Sequence, residues 1–248
     1  MDPHDSPLLI PAWKVTRSLL VIIAGLTFAA VVGAVVEYGF GYDYGLGLIP
    51  LFDMNRERNL PTWYASATLL IAAFLLAVIA AQTGRAKQRG AAHWSLLSVL
   101  FVFLSLDEAI SLHEPWNEAL QHFRFTGVFY YGWVIPYSTA LLLGAVLCVK
   151  FFKGLAPKTR NLFLAAATLY LSGALGMELI SGNYLSKTGR MDGAVAAMGI
   201  IEELLEMLGV AVFIHALLLH IGVLGACLKV QPDESSKPLL PSRKRITD

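Results

Sequence analysis

Long apolar blocks dominate the pattern of this chain, and charged positions gather between them. Six blocks fit a helix that spans a bilayer: 18–37 (SLLVIIAGLTFAAVVGAVVE), 62–81 (TWYASATLLIAAFLLAVIAA), 93–112 (HWSLLSVLFVFLSLDEAISL), 128–149, 161–181, and a long one within 198–226. Crossing the hydrocarbon core takes roughly 20 apolar residues at helical rise. The pattern therefore predicts an all-α integral membrane protein, a bundle of six transmembrane helices. Residues 1–17 read as a cytoplasmic N-terminal segment and 18–228 as the transmembrane domain. The stretch 229–248 (KVQPDESSKPLLPSRKRITD) reads as a disordered cytoplasmic tail, because it is polar and lacks an apolar period. The first block follows Lys14 and Arg17 as a signal peptide would. Its apolar run is longer than the usual 7–15 residues of a signal, so it reads as an uncleaved anchor.

Lys and Arg set the orientation. Lys14 and Arg17 precede the first block, Arg85, Lys87 and Arg89 follow the second, Lys150, Lys153, Lys158 and Arg160 flank the connection after the fourth, and five more lie beyond residue 228. The alternate connections carry only Arg56, Arg58, Arg124, Lys187 and Arg190. The positive-inside rule then places both termini in the cytoplasm of a multi-pass protein of the cell (inner) membrane. Trp63, Tyr64, Trp116, Tyr130, Tyr131 and Trp133 fall near the opposite level, where an aromatic belt is expected. The patch LIPLF within 38–60 suits a segment lying in that interface.

Composition agrees with this layout. Of 248 residues, 56% are hydrophobic and 15% charged, with mean hydropathy +0.61, against about 25% charged for a soluble domain. A net charge of +1 gives no footprint for nucleic acid. Cys148 and Cys227 form neither a CxxC motif nor a disulfide framework. GxGxxG, P-loop and GxSxG signatures are missing, so no nucleotide cofactor is indicated.

One stretch does not fit a lipid-facing helix. Residues 103–114 (FLSLDEAISLHE) leave the third block carrying Asp107, Glu108, His113 and Glu114. The fifth block brings Glu178 to a similar depth, the sixth brings Glu202, Glu203 and Glu206, and the first ends at Glu37. Glu202 and Glu206 share a helix face, and so would Asp107, Ser111 and Glu114 if the third helix ran on to its last residue. Gly173, Gly176 and Gly209 would let the helices approach closely.

Acids within hydrocarbon cost about 2.5–3.5 kcal/mol each at mid-helix on insertion scales. Several together need protons, basic partners or a cation. The sharpest reading is a metal centre with Asp107, Glu108, His113, Glu178, Glu202 and Glu206 as ligands. Glu203 and Glu114 would then serve as proton-transfer groups, with Glu37 further out. Carboxylates with one imidazole suit Fe, Mn or Zn, and an all-oxygen set suits Ca or Mg. The plainer reading has the acids facing headgroups or capping helices. It suits Glu202 and Glu203 in the early turns of their helix, and suits Asp107 and Glu178 badly, since an anion near a helix C-terminus opposes the macrodipole.

Three functions follow: a metal-dependent enzyme acting on a lipid or membrane-soluble substrate, a non-catalytic subunit of a larger membrane complex, or a cation- or proton-coupled transporter. Partners on these readings are membrane lipids and other integral membrane subunits.

Overall fold

A computed structural model describes residues 11–223. The segment 1–10, Cys227 and the tail 229–248 lie outside the described residues. Within them every regular element is a helix: α1 (Ala12–Phe40), α2 (Leu48–Phe52), α3 (Leu60–Arg85), α4 (Ala91–Ile110), α5 (Glu114–Leu120), α6 (Val134–Lys153), α7 (Pro157–Leu171), α8 (Glu178–Thr188) and α9 (Gly193–Val223), with short 3-10 turns between some of them. Six apolar rods are long enough to cross a membrane: α1, α3, α4, α6, the continuous α7–α8 unit and α9. The chain is a multi-pass membrane protein.

The centre of the bundle is built by α3 and α9. Leu69, Ala72, Leu76 and Ile79 of α3, with Met207, Ile214 and Leu217 of α9, are no more than 2% exposed. Lipid tails are as apolar as leucine, so these helices are held by close packing and by polar contacts between them. Ser66 Oγ donates to the Ser105 carbonyl (2.8 Å) and Ser105 Oγ to the Ser66 carbonyl (2.9 Å), clamping α3 to α4. On the far side, Gly209 lets α9 press against α7. A Cβ there would lie 2.7 Å from the Tyr170 nitrogen and 2.9 Å from the Ala166 carbonyl oxygen.

Among the helix boundaries that differ from the apolar pattern, four have a clear local reason. The third rod stops at Ile110, because Ser111 turns left-handed (φ 56°) and its N–H closes on the Asp107 carbonyl. Ser111 and Glu114 therefore do not continue the Asp107 face. Pro115 stands in the first turn of α5, where its missing N–H is no loss. The fourth rod starts at Val134 rather than 128, after residues 127–129 wind as a 3-10 turn. The fifth rod does not end at 181. A π-helical turn, Ser172–Met177, carries it into α8 and on to Thr188. The sixth begins at Gly193, where Asp192 Oδ1 caps the Ala194 N–H at 3.0 Å.

The first connection folds back into the bundle. Its LIPLF patch is the short helix α2, and Met54 just beyond it is buried in the hydrophobic core. Asn55 Nδ2 donates to the Ala196 carbonyl of α9 at 3.3 Å. Gly199 of α9 has no room for a Cβ because the Asn55 amide occupies that space. Asn59 then caps α3 by accepting from the Thr62 N–H (2.9 Å). The segment is thus anchored by the buried Met54 and Asn59, while residues 55–58 between them stay exposed.

Candidate functional site

Helical rise brings Glu178 and Glu202 to similar distances from the ends of their helices. Glu178 lies ten residues before the end of α8 at Thr188, roughly 15 Å. Glu202 lies nine residues after the start of α9 at Gly193, roughly 14 Å. The end of α4 carries Asp107 and Glu108, and the infolded 53–59 segment covers this layer from the loop side. Macrodipole effects fade within the first or last turn of a helix. They therefore account for neither Glu178 nor Glu202 and Glu203, all of which sit more than two turns from a helix end in these rods.

The π turn sets the spacing. Gly173 faces α9 so closely that a Cβ would lie 2.6 Å from the Glu202 carbonyl oxygen and 2.8 Å from Glu206 Cγ. A π turn inside an α-helix is rare and frequent at functional sites. Here it swings the start of α8, with Glu178, toward Glu202 and Glu206. Gly176 meets only an ordinary contact, the Leu171 carbonyl at 3.8 Å.

Two groups of side chains result. In the first, Asp107 is held from both sides: Tyr137 OH donates to Oδ1 (3.2 Å) and His113 Nδ1 lies 3.4 Å from Oδ2. His113 rests against the Trp133 ring, with centroids 4.8 Å apart. The Trp133 indole N–H donates to Glu178 Oε1 at 2.9 Å, which ties α8 to this group.

In the second group, Glu108 of α4 and Glu202, Glu203 and Glu206 of α9 lie within electrostatic range of one another. Tyr170 of α7 borders them. All four are shielded from full exposure, and Glu203 Oε2 is buried with no hydrogen-bond partner. Among the described residues no Lys or Arg nitrogen comes within 4 Å of any of the four. Nor are any three His, Cys, Asp or Glu side chains poised as a ready-made metal cage there.

Glu114 begins α5 and is exposed. Glu37 stands apart, lining a small crevice with Tyr38, Asp53 and Asn55. Glu57 is the acid that sequence reasoning passed over. It lies in the infolded segment, and burial first, then Glu114, pushes its carboxyl above the ordinary value, with His113 opposing. His113 itself is pulled both ways. Burial lowers its pKa, but the Asp107 contact and the charges of Asp107, Glu57 and Glu178 outweigh it, so the net shift is upward. The Tyr131 hydroxyl is raised by burial and then by Glu178.

Trp133, Tyr137 and Tyr170 also escaped the sequence reading, the first because it passed for a belt residue. Trp63 (69% exposed), Trp116 (47%) and Tyr130 (45%) are free to form that belt, whereas Tyr64 (8%) and Trp133 (7%) are interior. At the opposite end the histidines are structural. His215 Nδ1 lies 2.8 Å from Thr16 Oγ1, His93 stacks on Phe151 and His220 packs on Trp94.

A family model described as Domain of unknown function (DUF8692) matches residues 19–221. No curated protein and no solved structure matches the chain.

Proposed function

The chain belongs to this family, DUF8692, whose description assigns no activity, and from its buried acids we propose a membrane protein that binds a divalent cation and uses it on a lipid or membrane-soluble substrate. One observation carries the reading: Glu108, Glu202, Glu203 and Glu206 gather from two helices without a basic partner, and Glu203 presents a buried oxygen that nothing satisfies. Like charges so placed raise one another's energy until a proton or a cation intervenes.

On this reading Glu108, Glu202 and Glu206 close on the ion, and Glu178 joins them from the start of α8. Asp107 and His113 complete the set or relay protons beside it. The ion would polarise a substrate oxygen or activate water, and a free carboxylate such as Glu203 would take the proton. Fe, Mn or Zn suits a set with His113, and Ca or Mg a set of oxygens alone. The Lys/Arg bias supports cytoplasmic termini, which would open the pocket toward the outer leaflet of the cell membrane. Inner halves poor in acids give transport little support.

A second reading, a subunit of a larger assembly, draws on α6. Leu141, Leu142, Leu143, Val146 and Leu147 are all exposed, so most of the circumference of this helix is bare, away from the buried Cys148, and has room for a partner helix.

Elemental analysis of protein purified in mild detergent tests the first reading. Stoichiometric metal in the wild type, lost in both Asp107→Ala and Glu206→Ala, is the expected result. A wild type that holds no metal and takes up none from Fe, Mn, Zn, Ca or Mg overturns it. Copurifying membrane subunits together with that result would favour the second reading.

A further inference from the structure

Outside the carboxylate layer a second, oppositely charged cavity lies between α5 and the 3-10 turn at 127–129. Its volume is about 200 Å³, and Asn117, Leu120, Arg124, Phe125, Tyr130 and Gly132 line it. Each of its polar side chains, Asn117, Arg124 and Tyr130, can donate a hydrogen bond. Arg124 brings a guanidinium, and no carboxylate among the described residues lies within 4 Å of it. Asn117 spends its Oδ1 on the backbone N–H of Trp133 (3.2 Å), which turns its NH₂ into the free group. Tyr130 adds a hydroxyl.

The wall is fixed rather than slack. Gly132 permits it, since a Cβ there would stand 3.2 Å from both Leu120 and Phe125 side chains, and the Gly127 N–H is tied to Ser186 Oγ of α8 at 2.8 Å. Arg124 is itself held left-handed (φ 50°), a backbone state that costs a non-glycine residue energy and is retained where surrounding structure demands it.

The surroundings identify the source of the anion. Trp116, Phe123, Phe129 and Tyr130 around the cavity are each 45–60% exposed, and aromatic rings so exposed on a membrane protein settle at headgroup depth. An arginine fork matches a phosphate by paired hydrogen bonds. We propose that this cavity binds the phosphate of an anionic membrane lipid, with Arg124, Asn117 and Tyr130 as its donors. The binding is independent of any cation among the carboxylates.

Full-length protein in detergent, titrated by calorimetry with dihexanoyl phosphatidylglycerol, tests this. The wild type should bind, and Arg124→Gln should weaken binding at least tenfold while keeping the wild-type melting temperature. Arg124→Lys should fall between the two, and Arg56→Gln, which alters the arginine already paired with Asp53, should bind like the wild type. Inorganic phosphate and dihexanoyl phosphatidylcholine should bind at least tenfold more weakly than the anionic lipid. Equal affinity of the wild type and Arg124→Gln for phosphatidylglycerol overturns the proposal. So does phosphatidylcholine or inorganic phosphate binding as tightly as phosphatidylglycerol.

Discussion

His113 Nδ1 lies 3.4 Å from Asp107 Oδ2, across the turn that ends α4. Asp107, Glu57 and Glu178 together lift the His113 pKa above its ordinary value despite burial. The stabilisation from this pair is fully present below the unfolded value of about 6.5 and is lost as pH rises through the higher folded value. With chelator present, the melting temperature of His113→Gln should fall below the wild type at pH 5.5, and the gap should narrow by pH 9. A gap that widens with pH contradicts the assignment.

Gly173 and Gly33 should respond in opposite directions to alanine. At Gly173 a Cβ meets α9 backbone at 2.6 Å, whereas at Gly33 nothing lies within 4 Å. Gly173→Ala should cost about 1–3 kcal/mol by overpacking, and Gly33→Ala should be neutral or stabilising by up to about 1 kcal/mol. Thermal unfolding in detergent compares them.

Trp133 ties the loop before α6 to Glu178 by a hydrogen bond to a carboxylate. Bonds to charged groups contribute roughly 1.5–3 kcal/mol, so Trp133→Phe should cost about 2 kcal/mol. Trp133→Phe combined with Glu178→Gln should destabilise by less than the two single changes summed, as a double-mutant cycle would read.

Ser66 and Ser105 exchange hydrogen bonds across the α3–α4 seam. A double-mutant cycle to alanine should return a coupling of about 0.6 kcal/mol, the usual value for such pairs in membrane bundles. Zero coupling would contradict direct contact between the two hydroxyls, 3.1 Å apart, and leave each bonded only to the opposite carbonyl.

The apolar blocks made six rods legible, because the demand for backbone satisfaction in lipid leaves helices as the natural answer. Their ends were less so. Ser111 and Asp192 set boundaries through a left-handed dihedral and a cap, signals that a hydropathy pattern averages away. The acids of α4, α8 and α9 were visible as a layer, since depth follows from counting residues along each rod. Glu57 was not, because it sits in a connection whose return into the bundle depends on Asn55 meeting Gly199. The π turn was hidden for a similar reason: a glycine such as Gly173 announces close approach, but not the extra residue wound into the helix.

The most direct test of the buried acid group is divalent-cation stabilisation measured in three proteins: wild type, Glu108→Gln on α4 and Glu206→Gln on α9. A ligand at 100 times its dissociation constant adds about 2.7 kcal/mol to the folded state. The wild type, freed of metal and titrated with Mn²⁺, should therefore melt several degrees higher at saturation, and each single variant should lose most of that gain although its change lies on a different helix. A wild type indifferent to Mn²⁺, Fe²⁺, Zn²⁺, Ca²⁺ and Mg²⁺, or variants that respond as the wild type does, would contradict a shared cation site.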